Sequence, residues 1–174
     1  ISVDFGDGGV FQYGGSSKGG RGIGLISNLV PHADSAVYTL SASAGDEYGV
    51  AQGASGTDNL SHQITVGDVK IGAEIHKGAG TSTSWGLQYS GIDNLTVGIG
   101  QSNISPSSTA TSDSNTIGAK YAIGGITLGY QVTEVDKAAT DEEAVHYGAS
   151  FAVNDDLTVS YGRQTVQLQG KAND

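Results

Sequence analysis

The chain has 174 residues, a net charge of −10, 28 Gly, two Pro and no Cys. The missing thiols exclude disulfides and thiolate metal centres, and an acidic balance without any basic stripe excludes a nucleic-acid interface. No apolar run reaches 18 residues in a chain that is 37% hydrophobic, which excludes a transmembrane helix but leaves transmembrane strands open.

Residues 1–34 are rich in Gly, lack steady alternation and read as an irregular segment. From residue 35 onward apolar residues recur at every second position, which predicts about ten strands. They fall near 35–44, 48–54, 59–66, 69–77, 82–90, 95–103, 114–123, 126–135, 144–153 and 157–166. One set of connections is short and turn-like: Gly45–Glu47, Gly67-Asp68, Gly91–Asn94, Gly124-Gly125 and Asn154–Asp156. The other set is more variable: Ser55–Asp58, Gly78–Thr81, Ile104–Asp113, Val135–Glu143 and the tail after Val166. Tight turns at one end and longer loops at the other are the pattern of an up-and-down membrane barrel.

One phrase recurs three times, at 91–100, 123–130 and 153–162: a Gly/Asn/Asp turn feeding an alternating strand. Period two places Leu95, Val97 and Ile99 on one face and Thr96, Gly98 and Gly100 on the other. The same sorting separates Ile126/Leu128/Tyr130 from Thr127/Gly129/Gln131, and Leu157/Val159/Tyr161 from Thr158/Ser160/Gly162. The apolar face also receives Tyr89, Tyr121 and Phe151 near the short turns, the position of an aromatic girdle. Arg163 falls on this face near the loop end, where its head can reach headgroups. Gly72, Gly86, Gly98, Gly118, Gly129, Gly148 and Gly162 all fall mid-strand on the polar face. Glycine weakens a strand interior, so these positions imply a thin wall or a crowded concave interior.

The Leu-Thr-Val-Gly/Ser-x-Gly strands after Asn/Asp turns resemble those of Gram-negative general porins, of the alphaproteobacterial type. Gly148-Ala-Ser-Phe-Ala-Val-Asn-Asp-Asp-Leu157 and Ser35-Ala-Val-Tyr-Thr-Leu-Ser-Ala42 carry the same resemblance, which is strongest over 35–166. It implies an all-β fold: a transmembrane antiparallel up-and-down β-barrel, with about ten strands seen here of a 16-strand porin. The ten would be the sixth to the fifteenth. Residues 1–34 would then be the inward-folded constriction loop, and 35–174 a single membrane domain forming the barrel wall. Ten strands alone would leave two open edges in lipid, so the chain is expected to be part of a longer protein, with a complete ten-strand barrel as the alternative.

The implied function is a water-filled channel in the bacterial outer membrane for passive diffusion of ions and small hydrophilic solutes. The implied partners are outer-membrane lipid, lipopolysaccharide and two further copies in a homotrimer. In that family acids on the inward loop face basic groups on the wall, and the field between them sorts solutes. Candidate groups within 1–34 are Asp4, Asp7, Lys18, Arg21 and Asp34. On the wall they are Lys70, Glu74, His76, Lys120, Gln131 and His146. The acidic excess in loops predicts a mild cation preference.

Other chemistries find little support. His32, His62, His76 and His146 show no metal spacing, and no nucleophile elbow or phosphate loop occurs; no enzyme is expected. Residues 5–10 resemble the Gly/Asp calcium loops of β-rolls but lack the nine-residue repeat, so no cofactor is expected and structural calcium has no further support. The alternative function is a secreted or surface β-sheet adhesin or structural protein without a pore, a reading that the sequons at Asn59, Asn94 and Asn103 would suit.

Overall fold

The computed structural model describes residues 1–14, 21–26, 29–31, 46–47, 50–51, 58–77, 80–107, 110–138 and 140–170. Among them the strands are β1 (Ser2–Asp4), β2 (Val10–Gly14), β3 (Asp46–Glu47), β4 (Val50–Ala51), β5 (Asp58–Val66) and β6 (Val69–Lys77). They continue as β7 (Thr81–Ile92), β8 (Leu95–Ser107), β9 (Ala110–Ile123), β10 (Ile126–Lys137), β11 (Thr140–Asn154) and β12 (Leu157–Gly170). Ten of them form one antiparallel sheet in the order β1-β2-β5-β6-β7-β8-β9-β10-β11-β12, while β3 and β4 pair with each other. The sheet is an up-and-down ribbon with β1 and β12 as its edges.

The eight predicted strands from residue 59 onward are all present, but the first two strands of the sheet are not the expected ones. The predicted strand 35–44 lies outside the described residues, and 48–54 is described only at 50–51. The leading strands are β1 and β2, inside the stretch read as irregular. Val10–Gly14 alternates for too few residues to stand out between glycines, and its pairing with β5 is long-range: Val10 lies opposite Gln63 and Gly14 opposite Asn59. Gly9, at φ +80°, makes that approach feasible, because a Cβ there would run into the Gln63 carbonyl.

Period two decides the faces, and turn chemistry decides the register. Gly67, Asn94 and Gly124 take positive φ in the two-residue turns, at 58°, 64° and 58°, conformations that Gly and Asn adopt at little cost. Strands β8 to β12 run 12 to 15 residues, longer than the nine or ten expected. Most of the added residues lie at the end opposite the tight turns, and most of them are polar. They stay paired because side chains bridge the strands, as where Asn103 Nδ2 donates to Asp113 Oδ1 at 2.7 Å.

One face is apolar and open: Ile71, Ile75, Trp85, Ile99, Ile117, Leu128, Tyr130, Phe151, Val159 and Tyr161 all project from it. Its boundary follows the register from strand to strand through Trp85, Gln101, Asn115, Glu134, Glu143 and Gln167. Trp85 Nε1 donates to Gln101 Oε1 at 3.2 Å along that row. Tyr121 and Phe151 lie at the short-turn end of the band, whereas Tyr89 folds back over Gly91 beside a register shift between Tyr89 and Ile92. The buried apolar side chains lie on the opposite, polar face. Among the described residues they are Ile23, Ile26, Leu29 and Val30, with Val135 and Ala144 of the wall.

Candidate functional site

The polar face carries a stripe of glycines, one or more per strand from β6 to β11. Across this stripe lie residues 21–26 and 29–31, with a 3-10 turn at Ile23–Ile26. The Arg21 carbonyl sits over Gly72 of β6, and the Gly22 carbonyl over Gly86 of β7. Ile23 and Ile26 cover Gly100, and Ile26 also covers Gly98, both on β8. Leu29 covers Gly118 of β9, then its carbonyl and Val30 meet Gly129 of β10. Val30 and Pro31 finish over Gly148 of β11, where a Cβ would stand 2.7 Å from the Pro31 carbonyl oxygen. These glycines form a shallow groove that seats the backbone of a second segment. Burying Ile23, Ile26 and Leu29 there contributes about 1.5–3 kcal/mol per side chain.

Polar contacts hold the start of the crossing segment. Glu74 of β6 is buried, and its carboxylate accepts the Ser84 hydroxyl at 2.9 Å and the Arg21 backbone N–H at 3.4 Å. Ser84 Oγ accepts the Ile23 N–H at 3.2 Å. His76, also buried, places Nε2 3.5 Å from Glu74 Oε1, and the Asn59 amide lies 3.2 Å from its ring nitrogens. Two side chains of the wall thus satisfy backbone donors that burial would otherwise leave unpaired.

The remaining sequence-selected residues fall in different places. Gln131 and His146 are fully buried on the polar face, directly opposite one another across β10 and β11. Lys70 and Lys120 lie half-buried on the same face, toward the short turns. Asp4 is exposed on the edge strand, where Oδ1 accepts the Gly6 N–H at 2.8 Å; Asp7 is exposed in the following 3-10 turn. Lys18 and Asp34 lie outside the described residues. Sequence reasoning missed Ser84, whose parity matches Glu74 but whose residue type is too common in this chain to draw notice. It also missed Glu142, buried on the polar face and salt-bridged to Lys137 Nζ at 2.8 Å.

Two solved structures of a porin from Rhodopseudomonas blastica, both mutants, match this architecture. The first, a triple mutant, has a TM-score of 0.51 and 21% sequence identity, covering 65% of this chain and 42% of the other. The second has the same score and coverage at 22% identity. The fold is a porin-like partial barrel. The chain spans less than half the length of the porins it matches. No protein-family model and no curated protein matches the sequence.

In this porin-like partial barrel the apolar band occupies one face of the wall and the glycine groove the other. The crossing segment lies on the glycine-lined, polar face. It follows β2 in the chain, so two strands of the sheet precede it. The inner-face side chains of Glu74, Ser84 and His76 sit within the seam between segment and wall.

Proposed function

We propose that this chain forms part of the wall of a water-filled channel in a bacterial outer membrane, through which ions and small hydrophilic solutes diffuse passively. The observation that carries this reading is the crossing segment laid over the polar face of a sheet whose other face is apolar. A two-layer soluble domain would cover its apolar face, whereas here the open face is the greasy one. Its apolar stretch of seven to nine residues on β9 to β11, such as Ile117–Ile123, extends about 23–30 Å along a strand, comparable to the apolar band of a tilted barrel.

On this reading the band meets outer-membrane lipid, including lipopolysaccharide at the long-loop end, and the protein assembles as a homotrimer. The crossing segment at 21–26 and 29–31 narrows the lumen, and β1, β2 and the strands within 35–174 supply the wall. Charged and polar groups around it, among Asp4, Asp7, Lys18, Arg21, Asp34, Lys70, Glu74, His76, Lys120, Gln131 and His146, set the local field. Sorting of solutes by that field requires no catalysis.

Planar bilayers test the proposal. The full-length protein, folded in detergent, should insert and give discrete conductance steps in potassium chloride. Insertion without any current would refute the channel. A monodisperse product obtained without detergent would refute the membrane barrel and favour the adhesin.

A further inference from the structure

Resting on the membrane reading of the apolar face, we infer that this face carries a groove for one lipid. The acyl chain of that lipid enters the apolar band, and its head bears a primary ammonium group. Three depressions lie end to end across β7 to β12. The first, about 410 Å³, is lined by Leu87, Val97, Ile99, Ile117, Ala119 and Tyr130 together with glycine backbone. The second, about 230 Å³, shares Ile99 and Ile117 with the first and reaches Trp85, Asn115 and Glu134. The third, about 300 Å³, shares Asn115 and Glu134 with the second and continues to Asp136, Asp141, Glu143 and Gln169. Shared walls make the three one furrow.

Ala119 sets the apolar end. Its cross-strand partners on the same face are Val97 and Tyr130, so one methyl group stands between two larger side chains. Four residues along β9, about 13 Å, separate Ala119 from Asn115. Asn115 belongs to the row that bounds the apolar band, so the lining turns polar where hydrocarbon would give way to headgroups. Beyond that row the acids oppose one another. Glu134 stands directly opposite Glu143, and Asp136 directly opposite Asp113, an arrangement in which like charges repel. Glu142 also borders the furrow, but Lys137 Nζ holds it at 2.8 Å. No ion pair holds Glu134 or Glu143 among the described residues. The cations on this face within that set are Lys77, on β6, and Arg163, six residues from Gln169 on β12, so neither borders the furrow.

A primary ammonium head supplies one positive charge and three N–H donors to these carboxylates. A quaternary head has the charge without the donors, and an anionic head is repelled. A bare cation would meet the same charges but leave the apolar end unfilled, so the continuous furrow selects an amphiphile.

Native mass spectrometry of the delipidated full-length protein in detergent tests this, by titration with dipalmitoyl phosphatidylethanolamine, phosphatidylcholine and phosphatidylglycerol. The ethanolamine lipid should bind at severalfold lower concentration than the glycerol lipid, with the choline lipid between them. E134Q/E143Q should erase that preference. A119F, which fills the apolar end, should weaken ethanolamine-lipid binding severalfold, whereas V159F, on β12 outside the furrow, should leave it unchanged. Equal retention of the three lipids, or a preference that survives E134Q/E143Q, would overturn the inference. Free ethanolamine displacing the lipid at equal concentration would show a bare cation site and overturn it as well. The wild-type comparison needs no substitution, so it decides the outcome even where a variant fails to fold. Each of these failures leaves the channel reading intact while planar-bilayer current persists. A protein that folds without detergent and gives no current would instead bring down the membrane reading itself.

Discussion

Ser84 Oγ donates to Glu74 Oε1 at 2.9 Å while accepting the Ile23 N–H at 3.2 Å. One hydroxyl thus connects the wall carboxylate to the backbone of the crossing segment. Removing the carboxylate in Glu74→Ala leaves the Ser84 hydroxyl and the Arg21 N–H without their acceptor, at a cost of about 1–3 kcal/mol. Limited proteolysis should cut the variant near residues 21–26 faster than the wild type, while the wall stays resistant. Equal cleavage rates would show that the contact does not anchor the segment.

The glycine groove makes a second prediction. In Gly148→Val the new side chain meets the Pro31 carbonyl and Val30 Cγ1, both backed by the crossing segment. Overpacking of this kind costs roughly 1–3 kcal/mol. Gly170→Val, where nothing lies within 4 Å of the new Cβ, should leave stability unchanged. Chemical denaturation in detergent distinguishes the two sites, and similar midpoints would argue against a seated segment.

The two faces should respond differently to charge. Leu128→Arg in the middle of the apolar band should cost about 2–4 kcal/mol of folding into bilayers, falling to about 0–1 at Gln101→Arg in the boundary row. Folding titrations into lipid vesicles measure both. Equal penalties would mean that the band does not lie in hydrocarbon.

Tight-turn geometry gives a fourth expectation. Asn94 adopts φ 64°, a conformation that a β-branched residue resists. Asn94→Val should cost about 1–2 kcal/mol, and Asn94→Gly should be close to neutral. Thermal unfolding of the two variants checks the difference.

Much of the wall was legible in sequence because it follows from local rules. Leu95-Thr-Val-Gly-Ile-Gly100 assigns alternate residues to opposite faces whatever partner the strand finds, and Gly67 and Gly124 announce their turns. The inward parity of Glu74, His76, Gln131 and His146 was readable for the same reason. Their burial was not, since parity indicates a face but not what covers it. The strand extensions in β8 to β12 were missed because Ser107, Asp113 and Asp136 look like loop residues until cross-strand partners pair them.

By itself, the sequence determined eight antiparallel strands, their turns and a sheet with one apolar and one polar face. All of these arise from period two and from residues that tolerate positive φ, which act over a few positions. Tertiary structure alone decided that Val10–Gly14 pairs with β5 and that the glycine stripe seats residues 21–26 and 29–31. It alone buried Glu74 against Ser84 and the crossing segment, and Glu142 against Lys137. Most of those outcomes depend on contacts between positions some 40 to 120 apart in the chain. A glycine has no side chain with which to name its partner, and a charge has no fixed surroundings until the chain has folded around it.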